Sequence, residues 1–322
     1  MVVLVTGAAG FIGSHLVDAY LARGCTVIGL DNLTTGARAN LEHALYDKRF
    51  FFVQADIAGN IEDFERLLRH VNQTPNLILH FASPASPKDY ADLPLETMAA
   101  NAMGTRNCLE VASQRKARFL FASTSESYGD PLEHPQKETY WGHVNPIGPR
   151  SCYDESKRYG EALTMAYWRT RDVDARIVRI FNTYGPRMRE KDGRVVPNFV
   201  RQALAGEPLT IYGDGTQTRS FCYIDDLIDG IVRYASAPSL AGNVINLGNP
   251  AEFSILEFAK VVSSAAGVPL RFAHAALPQD DPARRCPDIT KAQTVLGWQP
   301  KVELRDGVAK TIDHFRAVLG PN

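Results

Sequence analysis

No window of this chain approaches the roughly 18 consecutive apolar residues that a membrane-spanning helix needs. Met1 runs straight into the apolar Val2–Val5 without the basic segment that opens a secretory leader. Neither a membrane span nor an export signal is therefore expected. Cysteine is scarce: Cys25, Cys108, Cys152, Cys222 and Cys286 make an odd count of five, and no two have CxxC spacing. That argues against a disulfide framework or a zinc ribbon and for a reducing compartment, with the cytoplasm as the expectation. The eight histidines form no HExxH or comparable spacing, so no catalytic metal is expected. Charge of one sign is not in excess either, since 35 Lys plus Arg meet 36 Asp plus Glu. Without a net positive field, neither nucleic acid nor an anionic lipid surface is the expected partner, and any anionic ligand must be held by local groups.

What is present is an average globular composition, 45% hydrophobic and 22% charged over 322 residues, enough for one large or two modest domains. Short apolar, β-rich runs at 2–6, 27–30, 50–54, 77–81, 118–123 and 175–180 read as strands. Helix-length segments lie between most of them, notably 11–23, 61–70, 95–113 and 153–170. Strands alternating with helices imply βαβ units, hence an α/β fold with a doubly wound, Rossmann-like parallel sheet. After residue 180 the rhythm changes, with turn signals at 185–186, 192–193, 206–208, 213–215, 248–250 and 281–282. This part reads as a smaller α+β substrate-binding domain over the carboxyl ends of the strands, where open α/β sheets bind ligands. The expected division is 1–180, with a returning segment near 220–249, and 181–322.

Gly7-Ala8-Ala9-Gly10-Phe11-Ile12-Gly13 follows the first strand at once and opens a helix. Glycines there permit a tight turn and close backbone approach, and the helix N-terminus offers unpaired N–H groups to a pyrophosphate. Asp31 ends the second strand 18 residues after Gly13, where an acid can accept from adenosine ribose hydroxyls and would repel a 2′-phosphate. The expected cofactor is therefore NAD rather than NADP. Tyr153 and Lys157 are spaced i, i+4, so on a helix they share a face, and the ammonium is expected to lower the phenol's pKa. Ser123-Thr124-Ser125 ends the fifth strand, and Thr124 is the hydroxyl expected on the same substrate group. Glu126 follows. A carboxylate in a cleft is costly without a task, so Glu126 is a candidate acid–base group or steering charge. Cys152 and His80 read as packed structural residues.

The GxxGxxG spacing resembles the extended short-chain dehydrogenase/reductase superfamily. The resemblance implies that Asn32, Asp56, Ile57 and Ser83 line the adenosine and pyrophosphate pocket. It also implies a homodimer formed by the helices near 95–113 and 153–170. A closer likeness is carried by STSESYGDPLEHPQKETYWGHVNPIGPRSCYDESKR at 123–158, with HFASPAS (80–86), RIFNTYGPRM (179–188), GRVVPNFV (193–200), LTIYGDGTQTRSFCYIDDL (209–227), NLGNP (246–250) and DDPARRCPDITKAQTVLGWQP (280–300). These resemble the UDP-glucuronate decarboxylase (UDP-xylose synthase) family over nearly the whole chain. Departures are small: Ser127 stands where that family usually has Val, Ser156 where it usually has Gly, and the segment 58–74 is longer.

The resemblance implies NAD-dependent oxidation of C4 of UDP-glucuronate, loss of the C6 carboxylate as carbon dioxide, and re-reduction of the C4 ketone. Thr124, Glu126, Tyr153, Lys157 and Arg285 are then the catalytic set, Arg285 holding the carboxylate or stabilising the enolate. Ser125, Asn182, Arg194, Tyr212 and Arg219 join Arg285 around the substrate, guanidinium forks suiting phosphate oxygens. A 4-epimerase shares the Tyr–Lys pair but needs no carboxylate at position 126. A 4,6-dehydratase usually has an Asp–Glu pair after the Thr, where this chain has Ser125-Glu126. A catalytically silent NAD-sensing protein would not need Thr124, Glu126, Tyr153 and Lys157 together.

Overall fold

The computed structural model describes residues 1–276 and 284–320; the turn signal at 281–282 lies outside the described residues. β1 (Val2–Thr6), β2 (Thr26–Asp31), β3 (Phe50–Gln54), β4 (Leu77–His80), β5 (Arg118–Thr124) and β6 (Ala175–Ile180) join the strand Val244–Leu247 in one seven-stranded sheet. Its order is β3-β2-β1-β4-β5-β6 and then Val244–Leu247, with every pair parallel. Val3 lies opposite both Val27 and Leu77, which sets the register at the centre.

The period of two along the strands divides the core between the two faces of the sheet. Val3, Val5, Val27, Leu79 and Leu120 pack on one side with Leu16, Val17 and Tyr20 of α1 (Phe11–Ala22). Leu4, Ile28, Ile78, Phe119 and Phe121 pack on the other with Phe64 and Leu68 of α2 (Ile61–Val71). Strands covered on both faces read as continuous apolar runs, which is why they stand out in the sequence.

The expected helix over 95–113 is interrupted. After α3 (Pro87–Asp92) come α4 (Pro94–Ala99), a π-helical turn at Ala100–Gly104 and α5 (Thr105–Arg115). Gly104 lets this turn sit against Ile57, since a Cβ there would lie 2.8 Å from Ile57 Cγ2. The wider turn buries Asn101, whose Nδ2 donates to Ser83 Oγ and to Ser156 Oγ, both at 3.0 Å. A π-turn of this kind is a frequent mark of a functional site. Ser156 belongs to α6 (Ser151–Arg171), which sits so close to β5 that a Cβ on Gly160 would meet the Phe121 ring at 2.3 Å. That approach sets the N-terminal half of α6 beside the end of β5.

Beyond β6 the chain builds three two-stranded sheets: Thr183–Tyr184 with Cys222–Tyr223, Leu209–Tyr212 with Phe272–Ala275, and Thr218–Ser220 with Glu252–Ser254. Phe221 stacks on Phe258 at 4.4 Å at their centre. Between these pieces the helix Ile224–Ser236 packs beside α1 and leads back to the edge of the main sheet through Val244–Leu247. Among the described residues, no helix is long and apolar enough to cross a membrane.

Candidate active site

A cavity of about 520 Å³ lies over the carboxyl ends of β1, β4, β5 and β6, roofed by the later part of the chain. Seven cationic side chains line it (Arg150, Lys157, Arg187, Arg189, Arg194, Arg219, Arg285) against three acidic ones (Asp89, Glu126, Asp192). A chain with a formal net charge of only −1 thus gathers positive charge where an anion would bind.

At one end is the glycine loop. Gly7 has φ +71° and passes so close to the β4 exit that a Cβ would lie 2.8 Å from the Phe81 and Ala82 backbone. A Cβ on Gly13 would sit 1.9 Å from Gly7 O. Gly10 is different, since its Cβ would meet only Gly7 O, at 3.2 Å. The fold itself demands Gly7 and Gly13, whereas bare Gly10 leaves room for a ligand. As the N-cap of α1, Gly10 brings no side-chain acceptor to the helix N–H groups, and Phe11 and Ile12 line the cavity beside it. This cradle fits the diphosphate of a dinucleotide.

Of the other residues expected around the cofactor, Asp31, Asn32, Asp56 and Ile57 are gathered at the ends of β2 and β3 and do not line the main cavity. Asp31 is buried and its carboxylate accepts from Ala9 N (2.9 Å) and Leu33 N (2.8 Å), so it props the glycine loop. Burial pushes its pKa up, against those N–H groups. Asn32 Nδ2 donates to Asp56 Oδ2 at 3.3 Å, and Ile57 is buried under Gly104. Ser83 lines the cavity.

In the middle, β5 delivers Thr124 and α6 delivers Tyr153 and Lys157. Lys157 Nζ donates to Ala122 O at 2.8 Å and stands 5.8 Å from the Tyr153 ring centroid. Burial pulls the ammonium down to about 7. The expectation that Lys157 lowers the Tyr153 phenol is not met: burial raises that phenol well above its usual value. The groups that pull it back are Thr124, by a hydrogen bond, and the charge of Arg194. Tyr90 stacks on Tyr153 with centroids 5.1 Å apart. Ser125 lines the cavity beside them.

Glu126, the next residue, sits between two guanidiniums. Arg150 Nη2 donates to Oε2 at 2.6 Å and Arg285 Nη1 donates to Oε1. Burial opposes its ionisation, but Arg285 and Arg150 overrule it and bring the carboxyl down to about 2. Glu126 is therefore a fixed charge and not an acid–base group near neutrality, which removes the first of its two expected roles. Arg285 also donates from Nη2 to Gly129 O at 3.2 Å, while its buried Nε–H has no protein partner among the described residues. Asp154, beside Tyr153, is pushed up to about 7 by burial and by the Glu126 charge.

Asn182, Arg194, Tyr212 and Arg219 line the same cavity. Arg194 is tied to Asp192 at 2.8 and 2.5 Å, and Arg219 Nη1 donates to Thr218 O at 2.8 Å. His80 bridges Thr6 Oγ1 (2.8 Å) and Thr105 Oγ1 (3.1 Å), with burial pulling it down to about 3. Cys152 Sγ faces Tyr90 O at 3.4 Å. Sequence reasoning missed Arg150, Tyr90, Asn101 and Arg189. Arg150 was within reach, lying in the 123–158 block just before α6, but nothing in the sequence marks Tyr90 or Asn101 as neighbours of Tyr153 and Ser156.

Residues 3–248 match the sequence profile of the NAD dependent epimerase/dehydratase family. UDP-glucuronic acid decarboxylase 2 of Arabidopsis thaliana is 52% identical over 314 residues, covering 98% of this chain and 68% of that protein. UDP-glucuronic acid decarboxylase 5 of the same plant is 48% identical, covering 99% of this chain and 91% of its own length. Among solved structures, the UDP-glucose 4-epimerase of Thermotoga maritima with UDP-glucose superposes with a TM-score of 0.90 at 30% identity, covering 99% of this chain and 100% of its own. The UDP-glucuronic acid 4-epimerase of Bacillus cereus, in complex with UDP-glucuronic acid and NAD, gives 0.86 at 32% identity with the same coverage.

Proposed function

This chain belongs to the NAD dependent epimerase/dehydratase family, and within it we propose that the protein converts UDP-glucuronate to UDP-xylose and carbon dioxide. The observation that carries this reading is the Arg150–Glu126–Arg285 cluster, which lines the same cavity as Thr124, Tyr153 and Lys157. NAD, when bound on the glycine loop, supplies a hydride acceptor for C4 and afterwards a hydride donor.

All other roles fall to the chain. Thr124 holds the C4 hydroxyl, and Tyr153 takes its proton as C4 is oxidised, its own phenol proton passing on to the neutral form of Lys157. Lys157, half ionised near neutrality, is the neighbouring group able to take up or return a proton. The ketone at C4 lies β to the C6 carboxylate, so the C5–C6 bond can break with its electrons passing to the C4 oxygen as an enolate. Arg285 offers its open Nε–H to an oxygen of this system, and Glu126 with Arg150 fixes the guanidinium plane. C5 then gains a proton from solvent, and C4 is reduced again as Tyr153 returns its proton to the oxygen and recovers its own from Lys157. Arg194, Arg219, Asn182, Ser125 and Tyr212 hold the nucleotide and diphosphate. The nucleotide-binding unit is residues 1–180 with the return near 220–249, and residues 181–322 mainly hold the nucleotide sugar.

The second reading, a 4-epimerase, draws on the Bacillus cereus enzyme, whose complex contains the same substrate. Incubation with UDP-glucuronate and NAD separates the two. Decarboxylation releases one carbon dioxide per pentose nucleotide without net NADH, whereas an epimerised product that keeps its carboxylate overturns the proposal. We further propose a homodimer built on the helical stretch from α4 through the π-turn to α5 and on α6, where Leu95 and Met98 of α4, Met103 of the π-turn and Tyr159 and Trp168 of α6 are exposed. A cytoplasmic location is supported by the five cysteines, all of them free.

A further inference from the structure

His134, Glu252 and Cys286 come from three separate segments, and no linear spacing links them. In the fold their ligand atoms all lie within 4.8 Å of one another. His134 Nε2 stands 2.8 Å from Glu252 Oε2, His134 is exposed, Glu252 half-buried, and the Cys286 thiol closes the group from the buried side. None of the three lines the catalytic cavity.

We propose that His134, Glu252 and Cys286 form a binding site for a zinc-class divalent cation, separate from the reaction centre. One sulfur, one imidazole nitrogen and one carboxylate oxygen make the mixed donor set that zinc accepts in tetrahedral geometry, with water in the fourth position. On binding, the Cys286 S–H bond breaks, its proton leaves to solvent, and the sulfur pair forms the bond to the metal. Thiolate and carboxylate together then offset the double charge of the ion.

The geometry requires only small movements. Zinc–ligand lengths of about 2.0–2.3 Å place tetrahedral donors about 3.3–3.6 Å apart. The His134–Glu252 pair must open by about half an ångström and both must approach the Cys286 sulfur by about 1.2–1.5 Å at most, comparing those lengths with the observed separations. These shifts fall chiefly on exposed His134, since Cys286 is buried and Glu252 is half-buried with its Oε1 accepting from Thr218 Oγ1 at 2.7 Å.

The ion would cross-link segments that frame the catalytic arginine. Cys286 directly follows Arg285, and its N–H donates to Gln136 Oε1 while Gln136 N donates to Cys286 O, both at 2.9 Å. His134 lies two residues before Gln136, and Glu252 pairs in register with Ser220, next to Arg219. The site would therefore staple the segment carrying Arg285 to the loop after Glu126 and to the strand carrying Arg219.

Cobalt(II) tests this in the whole protein, independently of the decarboxylase reading. Titration should give a thiolate-to-cobalt charge-transfer band in the near ultraviolet, saturating at one equivalent, with visible absorption of four-coordinate intensity that zinc bleaches. Cys286→Ser should abolish the charge-transfer band, and His134→Ala and Glu252→Gln should each loosen binding by roughly tenfold or more. Cys152→Ser should leave the band in place. Zinc should raise the thermal midpoint of the wild type but not of Cys286→Ser. No charge-transfer band in the wild type, or an unchanged band in Cys286→Ser, overturns the site.

Discussion

Lys157 and Glu126 line one cavity, and both are largely withdrawn from water, yet burial leaves them in opposite protonation regimes. The closest polar partner of Lys157 is a neutral carbonyl, Ala122 O. The nearby carboxylate of Glu161 is already bound to Arg179 at 2.7 and 2.8 Å, so its charge offsets only part of the desolvation. The ammonium therefore comes down to about 7. Glu126 faces the same desolvation, but two guanidiniums overrule it and hold the carboxylate ionised. Burial left uncompensated makes a group that exchanges protons, while burial compensated by opposite charge makes a group that keeps its charge. The cavity thus has a proton-handling region and a fixed-charge region side by side, which is what an oxidation coupled to loss of a carboxylate requires.

Removing the proton carrier should have the largest effect. Tyr153→Phe should lose roughly 10²–10⁴-fold in turnover while still binding UDP-glucuronate, the scale of general-base catalysis. Near wild-type turnover would show that another group takes the C4 proton. The fixed-charge region should respond in stability. Glu126→Gln breaks both buried ion pairs, to Arg285 and to Arg150, at a cost of about 3–5 kcal/mol, readable by urea denaturation. A variant as stable as wild type would mean that the two cations are solvated well enough not to need the carboxylate.

Lys157→Met should act in the opposite direction. In the unfolded chain this lysine keeps its proton up to about 10.5, but in the folded protein it loses it near 7. Below pH 7 both states are charged, and the folded one carries the whole penalty of a buried ammonium. As pH rises from 7 toward 10.5 the folded state sheds the proton and the penalty shrinks. The variant should therefore melt above the wild type in mild acid, with a gain that fades toward pH 10.5. A gain that grows with pH would contradict the assignment. Ser156→Gly should have the smallest effect, losing the hydrogen bond its Oγ accepts from Asn101 and the one it donates to Tyr153 O, and gaining backbone freedom in α6. A cost of about 1–2 kcal/mol is expected, with turnover within about tenfold of wild type, and a loss on the scale of Tyr153→Phe would move Ser156 into the proton-handling region.

The residues behind this contrast were legible in the sequence, but the contrast itself was not, for identifiable reasons. The runs that became β1 to β6 are apolar because both faces of a parallel sheet are covered, and the glycine loop is marked by a turn that Gly7 and Gly13 alone allow. Tyr153, Lys157, Thr124 and Glu126 were legible because β5 and α6 each present their residues at fixed intervals. Their electrostatics were not. The direction of the Tyr153 shift depends on burial, on Arg194 and on the Thr124 hydrogen bond, none of which i, i+4 spacing encodes. Arg150 and Arg285 meet Glu126 from 24 and 159 residues away. The π-turn that brings Asn101 to Ser83 and Ser156 hides inside an uninterrupted helical pattern. His134, Glu252 and Cys286 meet only because the segments at 134–136, 252–254 and 285–288 fold together.

Arg285→Ala, followed through a single turnover with bound NAD, tests the division of the cavity most directly. If the fixed-charge region serves only the loss of the carboxylate, absorbance of reduced nicotinamide should still rise at close to the wild-type rate. Carbon dioxide release should fall by about 10²–10³-fold, the cost of removing a positioned charge stabiliser, so that a 4-keto acid accumulates on the enzyme. Equal loss of both steps, or an unchanged rate of carbon dioxide release, would contradict the division of the cavity into two regions.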